Sequence, residues 1–120
     1  MKRFRLRSPR ATENDIEAGC LALLRLRGWY PIRLPSGLFK TPDGRWMRIG
    51  EPGLPDYAAL HEQHPGILLE VKRPGGKLAL DQIEFIDEVR MGYRLAVGVV
   101  DSTESLAAFL DNQERVNKPQ

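Results

Sequence analysis

A glutamate inside an otherwise apolar run constrains this chain more than any other feature. Residues 67–72 read Ile-Leu-Leu-Glu-Val-Lys. Such a run reads as a central strand, buried on both faces. Strand side chains alternate, so Glu70 and Lys72 point one way and Val71 the other. Taking a carboxylate and an ammonium into the middle of a sheet is costly unless they are paired or used. A second acid stands in a comparable place: Asp56 opens the short strand expected over 56–60, directly after Pro55. Thirteen residues lie between Asp56 and Glu70, enough for a hairpin whose strands run about 4.8 Å apart. In a suitable register both carboxylates reach one cation. A hard divalent ion takes oxygen ligands at about 2.1 Å, one or two carboxylates completed by waters, and the Val71 carbonyl is a further candidate ligand. The competing reading is a Glu70–Lys72 surface ion pair on an edge strand, with Asp56 a turn residue.

The rest of the chain surrounds that pair with alternating elements. Thr12 is a helix N-cap, and apolar residues at Ile16, Cys20, Leu23 and Leu24 give residues 13–27 helical spacing, ended by Gly28. A strand is expected over 29–34, with Pro31 marking an edge or bulge. Residues 38–40 pair with 45–49 around the turn Thr41-Pro42-Asp43-Gly44. Residues 61–66 form a polar hairpin loop that leaves His61 and His64 on the surface. After the glycine-containing loop 73–77 come a helix over 78–91, a strand over 94–100 and a helix over 102–110. The expected fold is α/β, a mixed central β-sheet flanked by helices. At 120 residues the chain is one domain, here 12–111, with a basic arm over 1–11 and a polar, frayed tail over 112–120.

Composition narrows the class. With 42% hydrophobic and 28% charged residues the chain is globular rather than disordered. Its lone cysteine, Cys20, excludes a disulfide framework and a cysteine-rich zinc site. No apolar run approaches the ~18 residues that span a bilayer, and no long apolar segment follows the basic N-terminus, so a soluble cytoplasmic protein without a secretory signal is expected. The net charge is only +2, but Lys2, Arg3, Arg5, Arg7 and Arg10 cluster without an acid among them. Such a cluster suits a phosphate backbone, or is simply a solvated tail.

Three helical residues bear on the site. Glu13 and Glu17 lie one turn apart, beside the apolar stripe of the first helix, where they can overhang a cleft. Gln82 falls on the core-side edge of the second helix, with Ala79, Ile86 and Val89. From there its amide can orient a water, reach a phosphate or bond to a neighbouring loop.

Together these residues resemble the PD-(D/E)XK nuclease superfamily, and within it the virus-type replication–repair nuclease (VRR-NUC) domain. The matching pieces are Thr12-Glu13 with Glu17, residues 29–37 (WYPIRLPSG), Gly53-Leu54-Pro55-Asp56, residues 69–78 (LEVKRPGGKL), and Gln82. They span about residues 12–105, and the stretch 68–78 (LLEVKRPGGKL), followed shortly by 81–85 (DQIEF), is the most specific part. Pro35 departs from the family, which often has asparagine before Ser-Gly. The resemblance implies a restriction-endonuclease-like core of order αβββαβα. It implies Asp56, Glu70 and the Val71 carbonyl as ligands of Mg²⁺ or Mn²⁺, with Glu13 or Glu17 as the acid from the first helix. Lys72 becomes the catalytic lysine and Gln82 the glutamine that follows the catalytic strand. Arg5, Arg7, Arg10, Arg73 and Lys77 are candidates for contacts to the DNA backbone. The implied activity is metal-dependent hydrolysis of phosphodiester bonds by a homodimeric endonuclease. It is selective for branched or Holliday-junction DNA and serves replication and repair. A non-catalytic nucleic-acid-binding module on the same fold is the alternative.

Overall fold

The computed structural model describes residues 12–116. The basic arm with Arg5, Arg7 and Arg10 lies outside the described residues, as do residues 117–120. Helix α1 (Glu13–Leu26) opens on a reciprocal cap: the Thr12 hydroxyl accepts from the Asp15 N–H, and the Asp15 carboxylate accepts from the Thr12 N–H, each at 3.1 Å. This satisfies two donors that the first turn leaves without partners. The helix stops at Gly28, whose φ of 86° lies in the left-handed region that glycine adopts freely. The chain turns at once into β1 (Trp29–Arg33). The elements that follow are β2 (Gly37–Lys40), β3 (Trp46–Ile49), β4 (Tyr57–His61), β5 (Ile67–Val71), α2 (Leu80–Gly92), β6 (Val97–Val100) and α3 (Thr103–Val116).

Four strands form one mixed sheet in the order β1-β4-β5-β6, and β2 with β3 form a separate hairpin. The pairs β1–β4 and β4–β5 are antiparallel, and β5–β6 is parallel across the α2 crossover. The full element order is αβββββαβα, a mixed central sheet flanked by helices, with three of the five strands between α1 and α2 belonging to that sheet. Pro31 sits on β1, an edge strand, where a missing N–H costs least. Strand β5 lies between β4 and β6, so Glu70 is on a central strand rather than an edge.

Alternation along the strands divides the sheet. Trp29, Tyr57, Ala59, Ile67, Leu69, Val71 and Val100 meet Ile16, Cys20 and Leu24 of α1 and Leu106 and Leu110 of α3 in one buried cluster. Glu70 faces the other side, toward α2. Among the described residues no helix is long and apolar enough to cross a membrane.

Several boundaries differ from the sequence reading. Helix α3 runs on to Val116, so residues 112–116 belong to the domain rather than to a tail. The reason is tertiary: Arg27 bonds to Asp111 and Glu114 at 2.5 Å each, and the Trp29 indole N–H donates to Glu114 at 3.1 Å. His61 and His64 pack around Trp29, with ring centroids 4.8 and 5.9 Å from it, and His61 also lies 3.1 Å from the Arg27 carbonyl. They are half-buried packing residues rather than loop surface. Strand β6 begins three residues later than expected: Arg94 takes a φ of 53°, and the Leu95 N–H donates back to the Val89 carbonyl of α2 at 3.4 Å.

Every residue of strands β2 and β3 is exposed, whereas Leu24 is 1% exposed. Leu24→Ala is expected to lower the unfolding free energy by about 3 kcal/mol. Leu38→Ala, on the hairpin, is expected to change it by less than about 0.5 kcal/mol. Urea denaturation of both variants checks the contrast, and a large loss for Leu38→Ala would place the hairpin in the core.

Candidate active site

The register brings Asp56 and Glu70 together. Tyr57 pairs with Leu69 and Ala58 with Leu68, so one further step sets Asp56 opposite Glu70. On the other side the Leu34 N–H donates to the Asp56 carbonyl at 2.9 Å, carrying the β1–β4 ladder to the same point. Residues directly opposite on antiparallel strands share a face, with Cβ atoms about 5 Å apart. The Asp56 carboxylate also accepts from the Val71 N–H at 2.9 Å. A strand residue sends its N–H and C=O to the same edge, so the Val71 carbonyl faces Asp56 as well.

Glu70 is 3% exposed and is held by residues on two elements. The Gln82 amide donates to its Oε1 at 3.0 Å, and the Lys72 Nζ lies 3.5 Å from the same oxygen. Gln82 is itself fixed, because its amide oxygen accepts from the Ala79 N–H at 2.8 Å at the start of α2. Burial, and then the Asp56 charge, push Glu70 up to about 7, against the pull of Lys72. Burial raises Asp56 too; the Val71 N–H and the Lys72 charge oppose this, and the charges of Glu17 and Glu13 add to it. Two crowded carboxylates facing one lysine favour a further positive charge.

The other candidates are not drawn in equally. Glu17 accepts from the Tyr57 hydroxyl and, at 3.0 Å, from Arg33. Burial and this glutamate push the Tyr57 phenol up to about 12. Glu13 is exposed in the first turn of α1. Both acids act on Asp56 through charge. Arg73 and Lys77 are exposed on the loop after Lys72, where the Gly76 N–H closes a turn onto the Arg73 carbonyl at 2.8 Å. Among the described residues no three His, Cys, Asp or Glu side chains group closely enough to hold a metal ion. The donor set that converges is two carboxylates with a backbone carbonyl, which fits a hard divalent ion that keeps several waters.

Against Lys72 and Gln82 opens a pocket of about 320 Å³, bordered also by Arg48, Glu51, Gly53 and Asp81. Its wall depends on close backbone packing. Gly53 has a φ of 81°, and a Cβ there would stand 2.1 Å from the Asp81 carbonyl oxygen. Only glycine lets the loop before β4 lie against the first turn of α2. Sequence reasoning missed Arg48, Arg33 and Tyr57. Arg33 and Tyr57 are cross-strand partners on β1 and β4, a pairing that no local pattern reveals.

No protein-family model matches the chain, and no curated protein matches it. Neither comparison identifies a VRR-NUC domain.

Glu70 makes metal-free stability depend on pH. Below its ordinary value of 4.5 the folded and unfolded chains both carry the proton. Between 4.5 and about 7 the unfolded chain releases it while the folded chain keeps it, so stability falls as pH rises. The expected loss is on the order of 3 kcal/mol, and Glu70→Gln is expected to remove it. Urea denaturation in EDTA across this range checks the difference; parallel profiles for the two proteins would show that Glu70 ionises normally.

Proposed function

We propose that this chain is a divalent-metal-dependent DNA endonuclease of the PD-(D/E)XK type, on a restriction-endonuclease-like core resembling VRR-NUC domains. One observation carries the reading: Glu70, buried on the central strand, faces Asp56 across the register and is gripped by Lys72 and Gln82. An ion pair serving only stability has no need of a second carboxylate facing it, since the Asp56 charge adds to burial in disfavouring ionised Glu70.

In this reading Asp56, Glu70 and the Val71 carbonyl hold Mg²⁺ or Mn²⁺. Bound there, such an ion would supply a water of lowered pKa and would stabilise charge on the phosphate. Gln82 keeps one oxygen of Glu70 oriented. Lys72, beside the pocket, positions the attacking water or neutralises charge developing on a phosphate oxygen. Hydrolysis adds water at phosphorus and breaks a P–O bond to the sugar, leaving a phosphate and a free hydroxyl. Glu17 and Glu13 bias the site by charge from α1. Arg73 and Lys77, with Arg5, Arg7 and Arg10 of the arm, are placed in this reading against the DNA backbone. A homodimer acting on branched or four-way-junction DNA in replication or repair completes it.

The test is cleavage of single-stranded, duplex, flapped and four-way-junction DNA with Mg²⁺ or Mn²⁺. Wild type is expected to cut a branched substrate, and Glu70→Gln and Lys72→Ala are each expected to cut at least about a hundredfold more slowly. DNA binding without cleavage by clean wild type would replace the nuclease with the non-catalytic module. Independently of turnover, Mn²⁺ is expected to raise the melting temperature of wild type but not of Asp56→Asn. Equal shifts in the two proteins would remove Asp56 as a ligand.

A further inference from the structure

The β2–β3 hairpin stands outside the core, yet it is not an ordinary polar surface. Its register pairs Leu38 with Arg48 and Lys40 with Trp46. Residues two apart on one strand, and those directly opposite on the next, share a face. Leu38, Lys40, Trp46 and Arg48 therefore form one face. Phe39, Met47 and Ile49 form the other.

The first face combines an open aromatic ring with unneutralised cations. Trp46 is 68% exposed, and the Lys40 ammonium lies 5.9 Å from its ring centroid. Among the described residues neither Lys40 nor Arg48 has an ion-pair partner, whereas Arg45 is paired with Asp43 at 3.0 Å. Arg48 also borders the pocket that Lys72 and Gln82 border. Glu51 and Asp81 line that pocket too, so the cationic, aromatic surface is the hairpin face itself, joined to the candidate active site through Arg48.

We propose that this face binds an unpaired stretch of DNA. A base stacks on Trp46, and Lys40 and Arg48 take the adjoining phosphates, so that the strand leads into the pocket beside Lys72. An indole amid cations provides what single strands use, a stacking platform and phosphate partners. Duplex bases are already stacked on one another and offer no free ring face to a side chain. The inference rests on the nuclease reading for its direction, since the strand it guides is the flank of the cleaved substrate. It makes the branched or flapped end the preferred target.

Binding is measured in EDTA, by anisotropy of a labelled oligothymidylate and of a blunt duplex of the same length. Trp46→Ala is expected to bind the single strand about tenfold more weakly while its affinity for duplex changes less than about twofold; Trp46→Phe retains most single-strand affinity. Because the other tryptophan, Trp29, is 2% exposed, quenching of indole emission by oligothymidylate reports Trp46, and Trp46→Phe is expected to abolish it. Arg48→Ala is expected to reduce the salt dependence of binding by about one phosphate contact. Unchanged affinity in Trp46→Ala, equal loss on both ligands, or no single-strand binding by wild type would overturn the proposal. So would a dimer that Trp46→Ala converts to monomer, because the face would then serve a second copy. Cleavage separates the two readings. A wild type that binds and quenches but cuts nothing keeps the hairpin's role and removes the nuclease. A nuclease whose Trp46→Ala variant binds and cuts flapped DNA like wild type does the reverse.

Discussion

Burial of the Glu70 carboxylate sets the terms for the elements around it. At 3% exposure on a central strand it has lost nearly all its water, so replacement partners have to come from the protein. They come from separate elements. Lys72 follows on the same chain, Gln82 reaches across from α2, and the β4–β5 register places Asp56 opposite. Gln82 is available because the start of α2 ties its amide oxygen to the Ala79 N–H. The loop before β4 fits only because Gly53 has no side chain to strike the Asp81 carbonyl. A shift in any of these would leave a buried acid poorly partnered.

The sheet supports this arrangement asymmetrically. One face carries the apolar cluster with α1 and α3, which supplies the rigidity. The opposite face carries Glu70 and meets α2, whose Ile86 is its buried anchor. A site built on the ends of β4 and β5 therefore inherits the order of the core while opening toward the pocket. The hairpin inserted between β1 and β4 adds surface rather than stability, as expected of a two-stranded ribbon with no covered face.

Charge follows the same division. Burial and the Asp56 charge raise Glu70, burial raises Asp56, and the charge of Glu17 adds to the shift of Asp56 from α1, where Tyr57 and Arg33 hold it. Around the pocket the charges are mixed, Arg48 and Lys72 with Glu51 and Asp81. Farther out, Lys40 on the hairpin and Arg73 and Lys77 on the loop after Lys72 add cations, which in the proposed reading meet a polyanion.

Local pattern alone determined much of this molecule. The Thr12 cap, the Gly28 stop, the hairpin around Pro42-Asp43-Gly44 and the apolar run holding Glu70 were readable, because caps, turns and alternation depend on residues a few positions apart. So was the suspicion attached to Asp56 and Gln82, since polar groups at core-facing positions need a reason. Other features came only from the tertiary structure. Residues 112–116 look like a polar tail until Arg27 and Trp29, nearly ninety positions earlier, are seen to hold them in α3. His61 and His64 look like loop surface until Trp29 is placed between them and the core. Glu17 looks like an equal member of the acidic set until Tyr57 and Arg33 engage it on the other side of the sheet. Register, and which face of a sheet a side chain joins, are decided by pairing between distant segments, and that information is not present in any one of them.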